Sequence, residues 1–257
     1  MAEDRFPAWE PPRIWEGRVA FVVGGGPSLI GWDPETVRGQ CVVGVNNAYS
    51  LVPFADFLYF HDPRWAEWHA AGVLGFPGTV VTCGYQNAKF KKKVKFMKRE
   101  RAVPLTDDRK TLAGLDSGAQ AINLAFHLGA PVVVMMGFDM GFRKVNGVPA
   151  DQTRELRPLA LGQRTSRGEL VMPRPGEEFL VPHWHPDHAI PSRETNYEKR
   201  FLPTYGPRRD ELAKRGVLLV SGTPTRIDVP QVPVDVSLSG ADNVARWVQE
   251  EGRGHEA

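Results

Sequence analysis

Short apolar runs, each closing on glycine or a polar residue, recur through the first half of the chain. Val19–Val23 runs into Gly24, Gly25, Gly26, Pro27 and Ser28, and Cys41–Val45 into Asn46 and Asn47. The run at 55–60 ends on His61 and Asp62, that at 79–83 on Gly84, and Val132–Met136 on Gly137, Phe138 and Asp139. Runs this short, β-branched and aromatic predict buried strands. Before the last of them the spacing predicts a helix. Asp116 and Ser117 cap it, residues 118–128 form its body, Ala121, Leu124, Ala125 and Leu128 form its apolar stripe, and Gly129 stops it. Pro63 opens a second helix over 64–71, and 33–38 is a short helix or turn. A helix followed by a strand without a hairpin turn predicts a right-handed crossover. The class is therefore α/β, an open, mostly parallel sheet whose ligand lies at the carboxyl edge.

The pattern weakens outside this region. Residues 1–17 are polar and proline-bearing, an arm lying on the surface and pinned by Trp9 and Trp15. Residues 141–182 have no periodicity and hold Arg143, Lys144, Arg154, Arg157, Arg164, Arg167 and Arg174; with the histidines that follow they make a basic lid over about 141–190. Helices near 195–200 and 207–215, a strand at 217–220 and a short helix at 242–250 complete the chain. The main domain spans 18–230 and a C-terminal tail spans 231–257, with no internal repeat and no second hydrophobic core.

A net charge of +2 over 257 residues makes no global demand for nucleic acid. One local patch does: residues 89–101 hold Lys89, Lys91, Lys92, Lys93, Lys95, Lys98, Arg99 and Arg101, with Phe90, Val94, Phe96 and Met97 interleaved. It is either a solvated face or a contact to phosphates of a substrate or a nucleic-acid backbone. Cys41 and Cys83 sit at strand positions and read as reduced core thiols. No apolar run has membrane-spanning length, and the expected location is the cytoplasm.

The glycine turn carries the main chemical expectation. Three glycines let a ligand approach the backbone, Pro27 suits a first helical turn, and Ser28 adds a hydroxyl beside free N–H groups. That composition suits a phosphate. It is not a dinucleotide fingerprint. Leu29 stands where a third glycine is needed, and the second strand ends in Asn46–Asn47, not in the acidic residue that holds a ribose. Asp139 is either part of the same carboxyl-edge site or a loop-capping aspartate. The stretch His183, Trp184, His185, Pro186, Asp187, His188 fits the H-x-H-x-D-H zinc signature of metallo-β-lactamase-like hydrolases. That signature needs downstream ligands, and His255 is the one later histidine. No metal is expected here; the histidines are either incidental to a loop or, the reading taken forward, one of them has a general acid/base role.

In this order, GGGPSL (24–29), VNNAY (45–49), DSGAQAINLAFHLGA (116–130), VVVMMGFDM (132–140) and the histidine loop resemble the family 42 glycosyltransferases. Those are bacterial sialyltransferases with one Rossmann-like domain and a lid. A set of phage-encoded proteins shares the motif order, and the archaeal-type 6-hydroxymethylpterin diphosphokinases share the glycine turn and sheet. The resemblance covers roughly 19–225. It implies a Rossmann-like domain and metal-independent sugar transfer from a nucleotide-sugar co-substrate, with no other cofactor. Gly24, Gly26, Pro27 and Ser28 then face the donor phosphate, Asn46 and Asn47 the nucleotide, and Ser117, Gly118, Gly137 and Asp139 complete the donor site. One of His183, His185 and His188, beside Asp187, is the base. Gly25 replaces the family's turn asparagine, and His61–Asp62 replaces an asparagine after the third strand. The donor sugar stays open, with Asp62 in its site. If the chain is phage-encoded, the implied acceptor is a hydroxymethylated base in DNA, held by Lys89, Lys91, Lys92, Lys93 and Lys95. A second reading is diphosphate transfer from ATP to a pterin-like alcohol, with Asp62 and Asp139 on Mg²⁺. A third is a nucleotide-binding or phage assembly protein without catalysis.

Overall fold

The computed structural model describes residues 7–84, 88–141, 143–146, 163–164, 170–171, 178–181 and 197–254. Its centre is a seven-stranded sheet, every neighbouring pair of which is parallel. In chain order the strands are β1 (Val19–Val23), β2 (Cys41–Val45), β3 (Phe57–Phe60), β4 (Thr79–Thr82), β5 (Val94–Phe96), β8 (Val132–Met136) and β13 (Leu218–Ser221). Between β5 and β8, β6 (Lys98–Glu100) and β7 (Thr111–Ala113) pair with each other. The sheet order is β13-β8-β1-β2-β3-β4-β5. The fold is Rossmann-like.

Residues alternate across a strand, so β1 feeds two cores. Ala20 and Val22 join the face covered by helix α3 (Ser117–His127) and helix α4 (Leu202–Ala213). Val19, Phe21 and Val23 join the opposite face, covered by α1 (Pro63–Trp68), α2 (Ala70–Gly75), α5 (Val234–Leu238) and α6 (Ala241–Gly254). The single core expected is thus divided by the sheet itself. The helix expected over 64–71 is two helices meeting at His69. Residues 231–254, expected as a tail, fold onto the sheet: Val232 and Val244 are buried and Trp247 packs on the core. Trp15 is buried edge-on against Phe57 at 5.3 Å and Trp9 lies 6.4 Å from the same ring, so both tryptophans pin the arm.

The basic run is partly structural. It supplies the sheet's edge strand β5 and then β6, while Phe90 and Met97 are buried. Lys93 Nζ donates to the carbonyls of Phe76 and Gly78, which removes it from the expected phosphate-contact set. Lys89, Lys91, Lys92 and Lys95 are exposed. Lysines beside an edge strand oppose sheet-to-sheet pairing, whatever else they do. The stretch expected to be aperiodic contains two antiparallel ladders, β9 (Arg143–Asn146) with β12 (Glu178–Val181) and β10 (Gln163–Arg164) with β11 (Leu170–Val171). No helix among the described residues is long and apolar enough to cross a membrane.

Candidate functional site

The chain winds outward from β1 through β2, β3, β4 and β5, then returns to β8 on the other side of β1. Loops at the carboxyl ends of β1 and β8 therefore diverge, and a crevice opens between them. A cleft of about 400 Å³ lies there. The loop after β1 supplies Gly24, Gly25 and Gly26, β2 supplies Asn46, and β3 supplies His61 and Asp62. The start of α3 supplies Asp116, Ser117 and Gly118, and the loop after β8 supplies Gly137, Phe138, Asp139 and Met140. Tyr197, Arg200, Phe201 and Tyr205 close the far wall from the π-helical turn Tyr197–Phe201 and α4. Two non-glycine residues, Asn46 and Met140, have φ of 51°, and both line this cleft. Left-handed backbone of this kind is held in place only where surrounding structure over-determines it, and it concentrates at functional sites.

Nine of the twelve expected donor-site residues line the cleft: Gly24, Gly25, Gly26, Asn46, Asp62, Ser117, Gly118, Gly137 and Asp139. Three do not. Asn47 is buried, and its side-chain oxygen accepts from Trp65 Nε1 at 2.6 Å, fixing α1 to the loop after β2. Pro27 is buried in the three-residue 3-10 turn Pro27–Leu29. Ser28 is already occupied. Its N–H and hydroxyl donate to the two oxygens of Asp139 at 2.8 and 2.7 Å. Gly24 and Gly26 N–H donate to the Met136 and Gly137 carbonyls, both at 2.7 Å. The turn thus binds a carboxylate from its own chain where a phosphate was expected, and Asp139 is both a loop cap and a cleft wall. The sequence signal for this was Asp139, three residues past β8. His183, His185, Asp187 and His188 lie outside the described residues.

His61 sits in a chain of polar contacts. Arg99, from β6, donates from Nη1 to His61 Nε2 at 2.6 Å and from Nη2 to the Leu115 carbonyl at 3.1 Å. A guanidinium only donates, so Nε2 accepts and the ring proton lies on Nδ1, facing Cys83 Sγ at 3.5 Å. Cys83 meets Tyr59 OH at 2.9 Å, Tyr59 donates to Gln120 Oε1 at 2.7 Å, and Gln120 donates to the Gly114 carbonyl at 2.9 Å. Burial, then the Arg99 and Arg101 charges, push His61 down to about 4, against a smaller opposing effect of Asp62. Burial pushes the Cys83 thiol up to about 11, so it is an inert core thiol. Because the unfolded imidazole binds its proton near pH 6.5 and the folded one near 4, stability falls as pH drops through that window. Urea denaturation at pH 7 and pH 5 is expected to show a smaller loss for His61→Gln than for the wild type. An equal loss in both proteins assigns the acid sensitivity to other groups.

The Asp62 carboxyl is held low by its hydrogen bond to Arg64, a 2.9 Å salt bridge, and by capping α1 at the Arg64 N–H. Asp116 caps α3 through Ala119 N–H at 2.9 Å, and the same Oδ1 accepts from Tyr205 OH at 3.0 Å. Tyr205 is fully buried and meets Phe138 edge-on at 6.2 Å, so α4 ties both walls of the cleft together. The sequence reading missed α4 as a site element, because Tyr205 lies two residues before the helix expected at 207–215. No group of three or more His, Cys, Asp or Glu among the described residues is arranged to hold a metal ion.

No protein-family model, no curated protein and no solved structure matches this chain.

Proposed function

We propose that the chain is a glycosyltransferase that binds a nucleotide-sugar in the crevice between β1 and β8. The observation that carries this reading is convergence. Four sequence segments, at 24–26, 46, 116–118 and 137–140, contribute walls to one cleft at the switch point of a parallel sheet. With Ser28 committed to Asp139, the donor phosphate goes to the N-terminus of α3, beside Ser117 and Gly118. Gly24–Gly26 provides a wall without side chains. An acceptor hydroxyl attacks the anomeric carbon, the bond from that carbon to the phosphate oxygen breaks, and a histidine of the 183–188 loop takes the hydroxyl proton. The helix N-terminus stabilises charge that develops on the leaving phosphate.

The kinase reading needs Asp62 and Asp139 on magnesium. Their oxygens are engaged by Arg64 and Ser28, which favours sugar transfer. Thermal shift against nucleotides and nucleotide-sugars, with and without chelator, tests the choice, because a ligand of the folded state raises its stability by mass action. Stabilisation by pyrimidine nucleotides and sugar transfer that survives chelator are expected. A shift confined to ATP with magnesium turns the assignment to the diphosphokinase. A nucleotide shift without turnover turns it to a binding protein.

If the chain is phage-encoded, we propose a hydroxymethylated base in DNA as the acceptor, on the strength of the exposed lysines before and within β5. Three phosphate contacts add about 2.7 to the slope of log affinity against log salt. Replacing Lys91, Lys92 and Lys95 together by glutamate is expected to flatten the measured slope by about that much. An unchanged slope leaves these lysines as edge-strand guards and removes DNA from the assignment.

A further inference from the structure

Arg208, on α4, is the largest fully buried side chain among those described. Its Nη1 donates to the Ala113 carbonyl at 3.3 Å, and its Nε has no partner. No carboxylate among the described residues reaches it at salt-bridge distance, although buried cations are normally paired. Room for it comes from Gly114, at φ +135°, where a Cβ would lie 2.9 Å from Arg208 Nη2 and 2.8 Å from Ala119 Cβ. The guanidinium therefore lies beneath the turn that opens α3. One helical turn earlier on α4, Tyr205 holds Asp116 Oδ1, and Asp116 Oδ2 is buried with no partner. Burial pulls Arg208 below its ordinary value, and the nearby Tyr205 and then Asp116 oppose that.

The three carboxylates in the cleft wall differ in how they are offset. Asp62 has the Arg64 charge, and Asp139 has a Ser28 donor on each of its oxygens. Asp116 stands at the N-terminus of α3, where its negative charge opposes any anionic ligand, and has donors on Oδ1 while Oδ2 is left without one. We propose that Arg208 is the positioning residue that offsets Asp116 from behind, keeping the α3 end of the cleft receptive to the phosphate of a nucleotide. The inference rests on the nucleotide reading above. Asp116 supplies the cap that α3 needs, and Arg208 cancels its charge, so the helix N-terminus keeps its attraction for an anion.

The test is calorimetric titration with the four ribonucleoside 5′-monophosphates and the matching nucleosides. Arg208→Met is expected to weaken the best monophosphate roughly ten-fold, the effect of a unit charge about 12 Å away at an effective dielectric constant of about 20, while the nucleoside changes little. Arg208→Lys keeps most of the phosphate preference. Asp116→Asn keeps the cap, since asparagine caps as well as aspartate, and on its own tightens the monophosphate several-fold. In the Arg208→Met background, Asp116→Asn restores binding, a rescue that lost packing does not produce. Where Arg208→Met does not fold, Asp116→Asn can still overturn the proposal, and retention of the phosphate preference by the charge-keeping Arg208→Lys supports it. Equal phosphate preference in wild type and Asp116→Asn, or weaker monophosphate binding by the latter, overturns the role of Arg208. A wild type that binds none of the eight probes overturns the nucleotide reading and this inference with it.

Discussion

Gly26→Ala is expected to destabilise the protein by about 3 kcal/mol and to abolish ligand binding in the cleft. Gly26 has an ordinary φ of −69°, so backbone freedom is not the reason. Space is. A Cβ at Gly26 lands on Asp139 Oδ2 and lies 2.6 Å from the Gly137 carbonyl. The carbonyl belongs to the backbone and accepts from Gly26 N–H, so it has no free path away. The carboxylate can leave only by giving up Ser28 N–H and Oγ, and each charge-assisted bond of that kind is worth about 1.5–3 kcal/mol. Overpacking of a tight site adds about 1–3 kcal/mol before relaxation. At 257 residues, a 3 kcal/mol loss is a fall of roughly 6–12 °C in melting temperature. Gly75→Ala is the control, since nothing lies within 4 Å of its Cβ and it sits in α2. Equal melting of the two variants, with the cleft still binding, means that Asp139 does not clamp the turn.

That clamp also marks where sequence reasoning stopped. The parallel sheet was legible because β1, β2, β3, β4 and β8 are short apolar runs closed by glycine or polar residues, and each contact is local to its own run. Helix α3 was legible from Asp116, its stripe and Gly129. The carboxyl-edge position of the site followed from the same endings. What a strand pattern does not contain is which of two facing loops fills the other. Ser28 and Asp139 are 111 residues apart, and only the pairing of β1 with β8 brings them together. Ser28 was therefore read as an anion donor when its anion was internal. Asn47 misled in the same way, since an amide offered to a ligand and one offered to Trp65 look identical in sequence. β5 (Val-Lys-Phe) and β6 (Lys-Arg-Glu) were hidden by charge, and β7 (Thr-Leu-Ala) by its length, since three residues carry too little periodic signal. Arg208 had no signal, because a buried cation under a glycine is a property of packing between Gly114 and α4.

Replacing His183, His185 and His188 together by glutamine is expected to lower sugar transfer by about 10²–10⁴-fold, while nucleotide affinity changes less than about two-fold. Among the described residues His61 is the one imidazole in the cleft wall, and it is a poor base for this step. Its Nε2 lone pair is taken by Arg99, and a group pushed down to about 4 gains little by accepting a proton at neutral pH. Asp62 and Asp139 already accept from Arg64 and Ser28. The third carboxylate of the wall, Asp116, has its one unpartnered oxygen buried, so in the proposed transfer the base is a histidine of 183–188. Met140 and Tyr197, on either side of that segment in the sequence, both line the cleft. The pH profile separates the alternatives. A loop histidine near its ordinary value of about 6.5 gives a rate that falls as pH drops below that point. Were His61 the base, the rate would hold until about 4. Full transfer by the triple variant, or a profile flat from pH 7 to 5, ends the case for a histidine base. A fall near pH 6.5 that disappears in one of the three single variants names the residue.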